Sequence, residues 1–225
     1  MSNGLTIAIA DLYVGTPRPL GDEGLGITSA IHKLRVDPDT SLRLDRINLA
    51  GDDQADRSVH GGPDKAVYAH PDEHRAAWAT ELAQPDLVTT RDAPAVGENV
   101  ATVGIDEHTV HVGDRWRWGD AELAVCQPRW PCQKLTVYRG TPQVGPLMRS
   151  TGRTGWYLRV LAPGTVPARG PITVEVHPLR VSVYDAHQAM LDRHLHDRAL
   201  IERVVELGDV LADEWRVPLV DRLSG

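Results

Sequence analysis

The sequence predicts a mainly β protein: a barrel or sandwich over residues 1–183, followed by a small three-helix unit over residues 184–225. Three observations carry this. Through the first two-thirds, short apolar stretches alternate with polar residues at a period of two, separated by glycine and proline turns. Within that part only residues 71–82 show a clear helical pattern. From Asp185 onward the pattern is helical and strand signals stop, which puts the one boundary near Val183. A tail of about 40 residues buries little core alone, so it must pack on the β unit or on a partner.

Taken in order, residues 5–14 read as a strand ending in the Gly15-Thr16-Pro17 loop signal. Alternation returns at 27–34 and 42–49, with Asp37-Pro38-Asp39 as a turn between them. Residues 51–64 form a polar, glycine-rich loop of a length that is often functional. Residues 66–69 are a short strand. Pro71, Asp72 and Glu73 suit the first turn of a helix over 71–82, with Ala77, Trp78 and Leu82 on its apolar stripe. Residues 110–118 and 121–127 alternate around Gly119-Asp120 as a hairpin, with Trp116 and Trp118 on one core-facing side. Strands at 154–161 and 172–176 are joined by a proline- and glycine-rich turn. The tail suggests helices at 185–194, 197–206 and from 209 to about 215, punctuated by Pro218. His187, His194 and His196 fall on expected exposed faces, and the charges of 198–206 on a solvated one.

Bulk properties remove several function classes. Of 225 residues, 41% are hydrophobic and 24% charged, which excludes a disordered chain. The net charge is −7 with no basic tract, so polymeric nucleic acid is not an expected partner. No apolar run reaches the roughly 20 residues of a membrane span. The start does not read as a signal peptide, so the expected location is the cytoplasm. Two cysteines, Cys126 and Cys132, cannot form a disulfide framework, and they lack the spacing of a zinc knuckle.

Four segments carry chemistry. In Gln127-Pro128-Arg129-Trp130-Pro131-Cys132-Gln133-Lys134, two prolines stiffen the backbone around an arginine and present a cysteine between cations. Nearby cations favour a thiolate, and a thiolate is what a soft metal binds. Cys132 is thus a structural cysteine, a nucleophile or a metal ligand, whereas Cys126 reads as an ordinary half-buried strand residue. In His60-Gly61-Gly62-Pro63-Asp64-Lys65, paired glycines let backbone N–H groups approach an anion and Lys65 adds a charge. His60 is open to roles as base, ligand or loop hydrogen-bonder. In Val96-Gly97-Glu98-Asn99, a carboxylate and an amide sit between apolar neighbours and need partners, from backbone capping or an amide-rich ligand. In Gly152-Arg153-Thr154-Gly155-Trp156-Tyr157, a guanidinium and a hydroxyl share one loop, as phosphate binding or a plain surface turn would require.

Together, and in this order, the four segments resemble the MOSC family, relatives of the C-terminal domain of molybdenum cofactor sulfurase. Within it they are most similar to the YiiM-like subgroup, whose small three-helix domain the tail resembles. The likeness runs from about Ala8 to Val176. It implies a MOSC-type β-barrel that binds molybdenum cofactor (molybdopterin), with Cys132 as the protein ligand to the metal. It also implies reduction of small N-hydroxylated compounds, such as hydroxylaminopurine base analogues. At family level it further carries pyridoxal phosphate binding.

The chain has no iron–sulfur cysteine pattern and no flavin or nicotinamide signature, so such a reaction needs an external electron donor, which the resemblance implies is a flavin-type reductase. On this reading Cys132, His60 and Asn99 are the candidate catalytic residues. Gly61, Gly62, Lys65, Glu98, Asn99, Arg129, Lys134, Arg153 and Thr154 are the candidates for holding the cofactor. A homodimer is an expected assembly. Two other classes stay open at this point: a non-catalytic carrier of cofactor or sulfur, and a metal-free cysteine hydrolase using Cys132 with His60.

Overall fold

The structure is a computed structural model that describes residues 5–21, 26–55 and 61–225. Its first strands are β1 (Leu5–Val14), β2 (Arg18–Pro19), β3 (Thr28–Ser29), β4 (Leu34–Arg35) and β5 (Ser41–Leu44). A 3-10 turn, Pro63–Lys65, leads into β6 (Val67–Pro71) and helices α1 (His74–Glu81) and α2 (Asp86–Thr89). Then come β7 (Val100–Val103), β8 (Arg115–Trp118) and β9 (Ala121–Pro128), helices α3 (Gln133–Arg139) and α4 (Val144–Thr151), and β10 (Trp156–Ala162), β11 (Gly164–Pro167) and β12 (Pro171–Glu175). Helices α5 (Val183–Leu191), α6 (Arg198–Val205) and α7 (Asp213–Ser224) follow.

Seven strands close a barrel in the order β12-β8-β9-β10-β6-β7-β1, with β1 pairing back to β12. All neighbours are antiparallel except β6 and β7, which run parallel from Ala69↔Val100. Closure satisfies the ladder on both sides of each strand and leaves no open edge. β1 makes this possible. Its first half pairs with β12, its middle with β7 across a register shift between Ile9 and Asp11, and its end with β4. Alternation along the strands sends Ile7, Ile9, Trp116, Trp118, Leu123, Val125, Trp156 and Leu158 inward as one core. The Gly119-Asp120 hairpin is present, and Trp116 and Trp118 are buried as expected.

Two further cores flank the barrel. One joins α1 to α4 through Trp78, Leu82, Leu87, Leu135, Val144 and Met148, together with Ile31 and Tyr68. The other joins α5, α6 and α7 to Val112 and Val181, with Trp130 packed against it. The N-terminus of α5 is held by a capping box: Ser182 Oγ accepts from Asp185 N at 2.9 Å and Asp185 Oδ2 accepts from Ser182 N at 3.3 Å. Asp197 caps α6 by accepting from Leu200 N at 2.9 Å.

Several expectations are corrected. Pro71 ends β6 and pairs with Thr102, so α1 starts at His74 rather than at Pro71. Residues 27–34 and 42–49 yield only the short pieces β3, β4 and β5. The turn at 162–170 contains β11, which pairs with β5. Helices α3 and α4 were not expected. They carry Thr136, Val137, Gly145 and Pro146, poor helix formers, and they form because their apolar sides complete the second core. Pro218 lies inside α7, which runs on to Ser224 instead of breaking there. His187 is fully buried, with Nε2 2.9 Å from Arg149 O, because α5 packs that face against the α4 end of the barrel unit. Cys126 is completely buried, more than the half expected of it.

Candidate cofactor cavity

One cleft gathers the polar chemistry. It spans about 650 Å³ including its open mouth, and its walls include Ser29, Ile31, Lys33, Asp52, Asp53 and Gln54 from the N-terminal segments. Lys65, Tyr68, Gly97, Asn99, Arg129, Cys132, Lys134 and Tyr157 complete them. Its enclosed part is about 110 Å³, room for part of a small ligand whose remainder would lie in the open mouth.

The floor is built by β6, β7 and the end of β9. Asn99 joins two strands and a loop at the cleft: its Oδ1 accepts from Tyr68 N at 3.1 Å, and its Nδ2 donates to Tyr13 O at 3.2 Å and to Asp52 Oδ2 at 2.9 Å. Asp52 also accepts from Gly15 N at 2.9 Å and forms an ion pair with Lys33. Both members of that pair are buried, so the wall carries a fixed, paired plus and minus charge rather than a net one. Gly97 adopts φ +94°, and a Cβ there would come within 2.6 Å of Ile31 Cγ1.

The rim is built by two loops. Gly62, at φ 94°, starts the 3-10 turn that delivers Lys65. Gln54 braces this loop, accepting from Gly62 N at 2.8 Å and donating to Lys65 O at 3.0 Å and Ile47 O at 2.9 Å. On the other side β9 ends at Pro128, and Cys132 occupies the position just before α3 with extended backbone, φ −123° and ψ 167°. Cys132 is half-buried, whereas the Cys126 thiol is fully enclosed 3.2 Å from Asp64 O. Burial, helped by the Asp64 carboxylate, pushes the Cys126 thiol up, so it stays protonated and inert.

Arg129 is the unusual member. Its side chain is buried, with the guanidinium 4.9 Å from the centre of the Tyr68 ring and Nη1 3.7 Å from Met148 Sδ. Among the described residues no carboxylate pairs with it. Burial works against its charge, but Tyr68, Tyr157 and Cys132 around it act the other way and it remains a cation. Tyr157 is half-buried beside it; desolvation raises its phenol, and Arg129 and Lys65 offset only part of that. Tyr68 is fixed by its hydroxyl, which donates to Thr154 O at 2.7 Å. A desolvated cation without a carboxylate, next to a thiol and two further cations, is a donor set for an anionic, soft-metal-bearing group.

Of the residues proposed from sequence, Lys65, Asn99, Arg129, Cys132 and Lys134 come together in the cleft. Gly61 and Gly62 form the loop that carries Lys65. Glu98 points into its own turn, where it accepts from Ala95 N at 2.7 Å and Val96 N at 2.8 Å and lies 3.4 Å from Arg75 Nη2. Arg153 lies outside the cleft, over Trp78 at 4.6 Å and paired with Glu81 at 2.5 Å. Thr154 is buried behind Tyr68, its Oγ1 donating to Gly155 O at 2.8 Å. His60 is outside the described residues. Ser29, Lys33, Asp52 and Gln54 were not foreseen; no short motif surrounds them, and only folding brings them to the cleft.

Comparison with known proteins identifies the family and the fold. The family model described as MOSC domain matches residues 56–173. Protein YiiM of Escherichia coli is 40% identical over 176 residues, covering 78% of this chain and 75% of that protein. The crystal structure of YiiM from Escherichia coli superposes with a TM-score of 0.75 at 31% identity, over 97% of this chain and 92% of that one. A protein named Reductase from Gibberella moniliformis is 32% identical over 185 residues, covering 81% of this chain but 32% of its own length.

Proposed function

The chain belongs to the MOSC-domain family, and from that premise we propose that it is a molybdenum-cofactor-binding oxidoreductase that reduces N-hydroxylated compounds with electrons from a separate reductase. The observation that carries this reading is Arg129: a buried cation that no carboxylate pairs with among the described residues, on the wall of the cleft that Cys132 also lines. The residues fit the cofactor's chemistry. Cys132 Sγ is the protein ligand for the metal. Further ligands to the metal would come from the organic part of the cofactor. Lys65, Arg129 and Lys134 receive its phosphate and other anionic atoms, with the Arg129 fork suited to paired oxygens. Asn99 and Gln54 spend their amide N–H groups on Tyr13, Asp52, Ile47 and Lys65, so their part is to hold the walls that would face a heterocycle.

When bound, the cofactor supplies two electrons for N–O cleavage, R–NHOH + 2e⁻ + 2H⁺ → R–NH₂ + H₂O. The chain's own contribution is placement and proton supply. Tyr68 and Tyr157 keep their protons and wall the cleft. The Lys33–Asp52 ion pair fixes the inner wall. The name of the Gibberella relative supports a reductase over a carrier.

The test is molybdenum and phosphorus content of protein made in a host that synthesises the cofactor, beside Cys132→Ala. Near-stoichiometric molybdenum in the parent and little in the variant is expected, followed by turnover of a hydroxylamino substrate with a chemical reductant. Molybdenum without turnover leaves a carrier. No molybdenum in either protein overturns the assignment.

A further inference from the structure

The helical tail reaches the cleft. Glu214, in the first turn of α7, forms an ion pair with Lys65, Oε2 to Nζ at 2.5 Å. Lys65 is a wall residue whose side chain is 12% exposed, whereas that of Glu214 is 52% exposed. The segment around Glu214 is fastened to both rim loops. Asp209 O accepts from Arg159 Nη1 at 3.1 Å, and Arg159 Nε lies 2.5 Å from Asp64 Oδ1 in the Lys65 loop. Ala212 N donates to Cys126 O at 3.0 Å. Trp215 stacks edge-on against Trp130, ring centres 5.8 Å apart, in the Cys132 loop.

These contacts divide the cations of the cleft into classes. Lys33 is matched by buried Asp52, a permanent pair. Lys65 is matched by a carboxylate that belongs to another part of the chain and keeps half its surface in water. Releasing Glu214 costs little, because its solvation is mostly intact already. Withdrawing Glu214 leaves the largely desolvated Lys65 short of one counter-charge, which is costly. A phosphate arriving in the cleft is that substitute, and it competes with Glu214 for the same Nζ.

We propose that Glu214 is an internal counter-ion of the cleft: its carboxylate occupies Lys65 until the phosphate of a bound ligand displaces it, so that filling the cleft loosens the start of α7. This rests on the reading that the cleft binds a phosphate-bearing cofactor. It makes the tail a sensor of occupancy, because by thermodynamic reciprocity whatever pulls Glu214 away also strengthens ligand binding.

The test uses inorganic phosphate as probe, titrated calorimetrically into the full chain. Glu214→Gln is expected to tighten phosphate binding by roughly three- to tenfold, the scale of a partly exposed pair. Asp213→Asn, which removes a neighbouring charge paired instead with Arg216 at 2.6 Å, is expected to change it far less. In a Lys65→Met background, adding Glu214→Gln is expected to give no gain. Saturating phosphate is expected to raise hydrogen exchange of the amides at 214–217 in the parent. Equal affinity in parent and Glu214→Gln, an equal gain from Asp213→Asn, a gain that persists without Lys65, or no phosphate binding by any of them overturns the counter-ion role. Molybdenum content of the same proteins separates the two claims: full loading with unaltered phosphate affinity sinks the counter-ion and leaves the cofactor assignment standing.

Discussion

The Arg129 guanidinium lies 4.9 Å from the centre of the Tyr68 ring, and Tyr68 in turn is held by its hydroxyl on Thr154 O at 2.7 Å. A π-face partly compensates a buried cation, by about 1–2 kcal/mol. That is less than the cost of desolvating it. Arg129 therefore contributes little net stability to the fold.

It follows that Arg129→Met should leave thermal stability unchanged or raise it by about 1 kcal/mol while molybdenum content drops at least roughly tenfold. Arg129→Lys should restore little, because an ammonium lacks the planar fork. Melting temperature and metal analysis on the same preparations check this. A large loss of stability in Arg129→Met would show that its role is structural.

The two cysteines should behave as opposites toward alkylation. Cys132 is half-buried at the cleft, and Cys126 is enclosed with its thiol pushed up by burial. Iodoacetamide on folded, cofactor-free protein should label Cys132 alone, and Cys126 only after unfolding. Peptide mass spectrometry reads this directly; labelling of Cys126 in the native protein contradicts the structure.

Acid should destabilise the fold through His70. Burial, with help from His74, holds His70 down to about 3 against an ordinary value of 6.5, so it is neutral in the native state. The unfolded chain takes up its proton below pH 6.5 and the folded chain does not, so stability is complete above 6.5 and falls between 6.5 and 3. At pH 5 the loss from this one group is about 2 kcal/mol. Urea unfolding of parent and His70→Gln at pH 7 and pH 5 checks it: the pH dependence should be markedly weaker in the variant.

Gly97→Ala should damage the cleft from its floor. The position has φ +94° and a new Cβ would sit 2.6 Å from Ile31 Cγ1, itself a wall residue. Strain and displacement together should cost about 2 kcal/mol or more, with reduced molybdenum retention. A variant as stable as the parent refutes the close approach.

Arg153→Gln should act differently from every cleft variant. It loses the stacking on Trp78 and the Glu81 pair, so a loss of about 1 kcal/mol in stability is expected, with cofactor content near that of the parent. Loss of cofactor at unchanged stability would place Arg153 in the binding site after all.

The legible part of the site is the part written in short motifs. Cys132 stands out between prolines and cations, Lys65 follows paired glycines, and Asn99 sits after a glycine that needs positive φ. Lys33, Asp52 and Gln54 sit in segments with weak strand signals and no local oddity. Glu98 and Arg153 stand in equally conspicuous motifs, yet their side chains turn to Ala95, Val96 and Arg75 in one case and to Glu81 in the other. A motif marks where the backbone is special; it does not say which way the side chain faces.

By itself the sequence determined the β-rich class, the Trp116 and Trp118 core hairpin and the helical character of the tail. Those follow from periodicity and turn chemistry, which act over a few neighbours in the chain. Tertiary structure alone decided the closure of β1 onto β12, the helices α3 and α4, the burial of His187, the Lys33–Asp52 wall and the reach of Glu214 to Lys65. Each of these depends on residues far apart in sequence meeting in a low-dielectric interior, where the partner found, and not the residue type, sets the energy.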